Sequence, residues 1–427
     1  MRKNILFISD HGDPLAKLGG VQSGGQNNYV RQLALALDRI GWRVDVVTHW
    51  SDEDTPRIEH FGDNCRVIRI EAGHKGFVSK NKMYTMLPAF YKEIKSSLSL
   101  KNYALVHTHY WLSGLLGQAI QKEYGIPFVH TSHSLGISKE MATGQRDEIR
   151  FAAERTVLSS AARIVATTVN EKSLIYEFAQ APSEVSVIPI GVASSFKPRF
   201  HRPQLRRSLG YNGPILVYAG RLEETKGIET LLKAMKIVCA REDVSPNLKL
   251  VLAGGQAEDI DPETKLPLPE KLRSLVMGIE DRVEFVGPKS QEELSVLFNA
   301  ANLTVVPSYY ESFGMVAAEA QACGSPVIAS RVGGLQNVVM DGETGLLVEP
   351  KNPEDLALAI VALLNNDLLA QRMGKQAVEL AKSDYQWPTI SKRMAELYEE
   401  VLTAEQDDTS VGYGSGRDAG RRSGSFK

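Results

Sequence analysis

Cysteine is scarce in this chain: Cys65, Cys239 and Cys323 are the three in 427 residues. Their number is odd and their spacings match no metal or redox motif, which points away from a disulfide framework. They read as small buried hydrophobes in a reducing compartment. A surplus of one charge is also missing. There are 49 Lys and Arg against 51 Asp and Glu, a net charge of −2. A partner such as nucleic acid or an anionic membrane would call for a basic surplus, so neither is expected. No apolar run reaches the roughly 18 residues of a membrane span. The opening MRKNILFISD enters an apolar strand directly, without a signal-peptide core or cleavage site. A cytoplasmic protein without integral membrane association is the expectation.

What is present is ordinary globular composition, 43% hydrophobic and 23% charged. The length suits two or three domains. Short β-branched runs alternate with amphipathic helical stretches. NILFIS (4–9), RVDVVT (43–48), RVIRI (66–70), ALVHT (104–108), PFVHT (127–131) and RIVATT (163–168) form a first series of strands. PILVYAG (214–220), LKLVLAG (248–254), RVEFVG (282–287), LTVVPS (303–308) and PVIAS (326–330) form a second. Their continuous apolar character fits strands buried on both faces of parallel sheets. The sequence therefore predicts an α/β protein with two doubly wound, Rossmann-like domains facing a central cleft. The first spans 1–193 and the second 194–386. A final helix, 389–402, is placed to cross back onto the first domain. The Gly/Ser/Arg/Asp-rich tail, 403–427, is expected to be disordered, because it has little to bury.

In such folds ligands gather at the carboxyl ends of the strands. The block PSYYESFGMVAAEAQACGSPVIAS, 307–330, has a strand, a polar turn and a helix start there. The unsatisfied N–H groups around Ser312, Phe313, Gly314, Met315 and Val316 suit a diphosphate. Glu311 precedes the helix, and Glu319 lies inside it with a carboxylate that can accept from ribose hydroxyls. In YAGRLEETKG, Arg221 and Lys226 follow a strand and precede a helix, where cations can reach the cleft and neutralise a diphosphate. After the first strand, Gly24 and Gly25 precede Gln26 and a helix, and the long loop 10–22 has the length of a mobile lid. His107, His109, His130 and His133 cluster at two strand ends, but no carboxylate motif accompanies them, so zinc is not expected. The acidic run SDED, 51–54, reads as a solvated loop.

The E-x7-E pair, the G-R-x-x-x-x-K-G segment and the GGQ turn resemble family 4 glycosyltransferases of the GT-B fold, over essentially residues 1–402. The resemblance implies a retaining enzyme moving a hexosyl group from a nucleoside-diphosphate sugar. UDP-glucose or UDP-GlcNAc is the implied donor, with no obligatory metal or other cofactor. It implies that Glu311 holds the sugar hydroxyls and Glu319 the ribose. Gly25 and Gln26 would touch donor diphosphate and acceptor, and the turn 287–290 would face the base. His133 is matched to the family's active-site histidine. Within the family, stretches holding Lys80, Tyr110, Ser134 and Arg150 resemble the inositol-phosphate glycosyltransferases of mycothiol synthesis and the sucrose-phosphate synthases. They imply a small, phosphorylated sugar or cyclitol acceptor, such as fructose 6-phosphate or inositol phosphate. A nucleotide-sugar epimerase or hydrolase of the same fold is the alternative. The oligomeric state stays open, a homodimer included.

Overall fold

The computed structural model describes residues 3–16, 24–199 and 201–412, with side chains at all of these except 81 and 406–412. Two sheets organise it. The first contains β1 (Asn4–Ile8), β2 (Arg43–His49), β3 (Ile58–Phe61), β4 (Cys65–Ile70), β5 (Leu105–His109), β6 (Phe128–Thr131), β7 (Arg163–Ala166) and β8 (Val185–Val187). The second contains β9 (Ile215–Ala219), β10 (Lys249–Ala253), β11 (Val283–Gly287), β12 (Leu303–Val306), β13 (Val327–Ser330) and β14 (Gly345–Val348). Their orders are β3-β4-β2-β1-β5-β6-β7-β8 and β11-β10-β9-β12-β13-β14. All pairs are parallel except β3 with β4, where Glu59 opposes Val67.

Alternate residues of each central strand enter different cores. In β1, Ile5 and Phe7 face one helical layer, Leu6 and Ile8 the other. In β9, Ile215, Val217 and Ala219 face one layer, Leu216 and Tyr218 the other. Burial on both faces is why these strands read as unbroken apolar runs.

The last helix runs Trp387–Gly412, two residues earlier than 389 and ten later than 402. Trp387, Ile390, Met394, Leu397 and Val401 repeat at helical spacing and join the core of the first sheet with Tyr29 and Leu33. The helix thus packs on the same layer as the helix Gly25–Arg39. Residues 403–412 correct the expectation of a disordered tail. A helix already packed elongates at little cost through residues such as Ala404 and Glu405. Residues 413–427 lie outside the described residues, as does the 17–23 part of the proposed lid.

Strand order reverses between β1 and β5 in one sheet, and between β9 and β12 in the other. Loops after these four strands are therefore the ones that diverge and leave room for a ligand. Two glycines shape the loops after β9 and β12. Gly227 has φ +69°, and a Cβ there would overlap the Pro307 carbonyl oxygen at 1.9 Å. Gly314, capping the helix Met315–Ala322, has φ +103°, and a Cβ would sit 2.5 Å from Leu335 Cδ2. Gly314→Ala combines left-handed strain with overpacking, so it should destabilise the fold by about 2–5 kcal/mol. Thermal unfolding checks this, and an unchanged midpoint would refute the strain.

Candidate active site

On the second sheet, Lys226 Nζ donates to Glu311 Oε1 at 2.6 Å, and Ser308 Oγ donates to the same oxygen at 3.1 Å. Neighbouring strands β9 and β12 bring these residues together from 85 positions apart. Both side chains are about one-fifth exposed. Arg221 does not join them. Its side chain is 78% exposed and pairs with Glu223 at 3.1 Å. Phe313 turns its side chain away from the turn. Its ring is buried edge-on against Tyr385, so its backbone is the part available to a donor. Ser312 Oγ shares a 2.6 Å hydrogen bond with Tyr310, and Met315 and Val316 are half-buried at the helix start. Glu319, the helix's fifth residue, is 8% exposed, and among the described residues no side chain or backbone group bonds its carboxylate. Burial alone pushes its pKa up to about 8 from 4.5.

On the first sheet, Tyr110 follows β5 with φ +79°, and His133 follows β6 with φ +58°. Two adjacent strand ends thus hold strained non-glycine backbones, as functional sites often do. Tyr110 is the centre of the acceptor-side cluster. Lys80 Nζ lies 4.9 Å from its ring centre and the Arg150 guanidinium 5.1 Å. Arg150 Nη2 donates to the backbone carbonyl of Ser134 at 2.7 Å and to its hydroxyl at 3.1 Å. Arg150 Nε donates to Glu154 Oε1 at 2.6 Å. Glu154 is almost fully buried and accepts from the Gly136 N–H with both oxygens. Lys80 keeps part of its surface in solvent. Even so, the cleft walls hold its ammonium below the usual lysine range, helped by Arg150 and Arg221 and opposed by Asp10. Two cations held close with one carboxylate beneath leave the rim short of negative charge.

The histidines divide by role. His107 bonds Tyr398 at 2.6 Å and Thr131 at 2.9 Å, and His130 bonds Thr108 at 2.9 Å. These rings are core fixtures. His109 Nδ1 and His133 Nε2 are 3.0 Å apart, so one donates to the other. Burial lowers both, His133 to about 3, and keeps the pair neutral at pH 7. Gln26, in the first turn of the helix Gly25–Arg39, donates to Ser9 Oγ at 3.0 Å and to the His109 carbonyl at 3.4 Å. Gly25 opens that helix and is exposed.

Sequence reasoning missed Asp10, His11 and Ser113. Asp10 is fully buried, accepts from Ser113 Oγ at 2.5 Å and lies 3.1 Å from His11 Nδ1. His11 meets the Tyr110 ring edge-on. Position after β1 was the available signal, but Ser113 comes from 103 residues away. Asn170 was also missed. Its Nδ2 donates to the Gly333 carbonyl at 2.8 Å, across the cleft, and its N–H to Asn337 at 3.2 Å. SDED is a local turn, with Asp52 accepting from the Asp54 N–H at 3.1 Å.

The family pattern described as glycosyl transferase 4-like domain matches residues 24–191, and that described as glycosyl transferases group 1 matches residues 202–380. The D-inositol 3-phosphate glycosyltransferase of Corynebacterium glutamicum (strain R) is 34% identical over 423 residues, covering 96% of this chain and 100% of that one. This chain belongs to the group 1 glycosyltransferases. The enzyme of the same name from Rhodococcus erythropolis (strain PR4 / NBRC 100887) is also 34% identical, over 421 residues, covering 95% and 93%. Among solved structures, the sucrose-phosphate synthase of Thermosynechococcus elongatus matches with a TM-score of 0.84 and 37% identity, covering 94% and 100%. Anabaena HepE in complex with UDP and glucose shares the fold, with a TM-score of 0.71 and 20% identity over 93% and 100%. The expected GT-B architecture therefore holds, and the chain is a glycosyltransferase. No single helix among its described residues is long and apolar enough to cross a membrane.

Proposed function

We propose that this glycosyltransferase moves a hexosyl group, with retention, from a UDP-sugar to a small phosphorylated sugar or cyclitol. UDP-glucose and UDP-GlcNAc are the donors of choice, and fructose 6-phosphate and inositol phosphate the acceptors. The observation that carries this reading is the pairing of Lys80 and Arg150 around Tyr110, close enough to Arg221 of the second sheet for that cation to act on Lys80. A phosphate suits cations fixed on an aromatic face, one of them a planar guanidinium. His11, next to the same ring, extends that rim. The relatives' names agree with such acceptors, as does the sucrose-phosphate synthase likeness.

In this reading the bond from C1 to the diphosphate oxygen breaks as the acceptor oxygen bonds C1 from the same face. The acceptor proton passes to the departing diphosphate oxygen, so no strong protein base is needed. Lys226 stabilises the leaving diphosphate, and Arg221 joins it by turning from Glu223. These cations supply the charge a divalent metal would otherwise bring. Backbone N–H groups of 312–316 hold the phosphates, and Glu311 holds sugar hydroxyls. Gly25 and Gln26 approach donor and acceptor. Neutral His133 gives the sugar a hydrogen bond rather than a charge, its orientation fixed by His109.

Glu319 provides a pH test. Below about pH 4.5 the carboxyl is protonated in both folded and unfolded chains. Between 4.5 and about 8 only the unfolded chain ionises, so its burial costs stability increasingly as pH rises. Glu319→Gln should therefore raise the unfolding temperature at pH 8 but not at pH 4, while weakening UDP binding. Ribose hydroxyls donating to Glu319 favour its charged form, so UDP binding at pH 7 should release a proton. Calorimetry in two buffers of different ionisation enthalpy measures it, and an absence of proton release would remove the ribose role.

The function itself is tested by a screen of UDP- and GDP-sugars against sugar and inositol phosphates. UDP release should require the acceptor. Release that ignores the acceptor would favour an epimerase or hydrolase.

A further inference from the structure

A second cavity, of about 440 Å³, lies where the chain crosses between the sheets. That size falls within the roughly 300–1,000 Å³ of small-ligand pockets. It is walled by the helix Gly25–Arg39, the crossover 192–198, the helix Asp367–Asp384 and the return at 385–388. The two crossovers are tied together there, with the Val192 N–H donating to the Tyr385 carbonyl at 2.6 Å. Arg39 is thirteen residues along its helix from Gln26, about 20 Å at 1.5 Å per residue. The cavity shares no residue with the donor–acceptor cleft.

Its lining is one-sided in charge. It holds Arg39, Lys197 and Lys382 and no Asp or Glu. Lys382 pairs with Glu379 outside the lining at 2.9 Å, whereas Arg39 and Lys197 have no ion pair among the described residues. Phe196, Tyr385 and Trp387 give it apolar, aromatic walls. The Trp387 indole N–H is buried without a hydrogen-bond partner. Such a donor costs about 1–3 kcal/mol when left unpaired.

Trp387 also connects to the reaction site. Its ring packs so closely on Gly191 that a Cβ there would lie 2.4 Å from it. It meets Tyr29 edge-on at 5.8 Å, and Tyr29 meets His133 edge-on at 4.9 Å. Tyr29 is fully enclosed, so a shift of one ring displaces the next.

We propose that this hinge cavity is a regulatory site for a small anion with a planar apolar body, relayed to His133 through Trp387 and Tyr29. The ligand would bridge elements of both domains and so fix their closure angle. The relay half rests on His133 contacting the sugar, as proposed above. The binding half does not.

The test uses the full chain and 8-anilino-1-naphthalenesulfonate, with UDP saturating so that the donor site is filled. The expected result is saturable fluorescence binding at one site. Reversing both rim charges, Arg39→Glu with Lys197→Glu, should weaken it about tenfold, equivalent to about 1.4 kcal/mol. Both residues are exposed, and turnover without the probe should be unchanged. Saturating probe should shift the wild-type kcat with whichever acceptor the screen supports, and leave that of the double variant unmoved. Absent binding, or binding indifferent to charge reversal, overturns the site. Binding with no change in kcat overturns the regulatory role. A chain without the proposed transfer activity would still give the fluorescence result, so the two failures are separable.

Discussion

Replacing Lys226 by alanine is expected to lower kcat by about 10²–10³-fold, the loss of one preorganised charge-stabilising donor, ~2.7–4 kcal/mol. The geometry favours the upper end. Lys226 is held at 2.6 Å from Glu311, and its removal leaves that carboxylate facing the diphosphate without a counter-charge. The loss should appear in kcat more than in the donor KM, because negative charge on the leaving group grows in the transition state. The fold should barely notice. A partly exposed ion pair contributes about 1 kcal/mol or less. A near-normal kcat would reduce Lys226 to a partner that orients Glu311. Arg221→Ala gives the companion measurement. That guanidinium lies in solvent beside Glu223, so a large loss in kcat would show that it moves inward during turnover.

The sheets and the donor loops were legible because their signals are local. Strands such as ILFI and ILVYA are apolar without interruption, and the Glu311–Glu319 block carries its turn, its glycine and its helix within a dozen residues. Short edge strands were not legible. Ile58–Phe61 and Val185–Val187 are only partly buried, so they carry little apolar pattern. The helix Lys80–Ser97 is masked by Pro88 in its interior. Contacts made only by tertiary folding left no trace. Asp10 with Ser113 is one, and His109 with His133 is another. Rotamer choice was equally hidden: nothing local says that Arg221 turns to Glu223, or that Phe313 turns to Tyr385. The helix past Thr403 was misread because composition ignores the packed turns before it.

Lys80→Ala is expected to raise the KM for a phosphorylated acceptor by about 10–100-fold, as for a charge-assisted hydrogen bond worth about 1.5–3 kcal/mol. Its dephosphorylated analogue should lose little. Lys80 is the better probe of the pair. Arg150 is enclosed with Glu154, and removing it would leave that carboxylate buried with the Gly136 N–H as its remaining donor, a change costing about 3–5 kcal/mol of stability. Activity lost in Arg150→Ala would mix unfolding with recognition. Lys80 sits at the start of its helix, above the Tyr110 ring, and nothing beneath depends on its charge for burial. Burial against the cleft walls, and after it the neighbouring cations, already hold its ammonium below the ordinary range, and a bound phosphate would raise it. The phosphate therefore relieves a repulsion as well as adding a contact, and the discrimination between the two acceptors should shrink as salt is added. Equal losses with both acceptors would mean that Lys80 grips something other than phosphate.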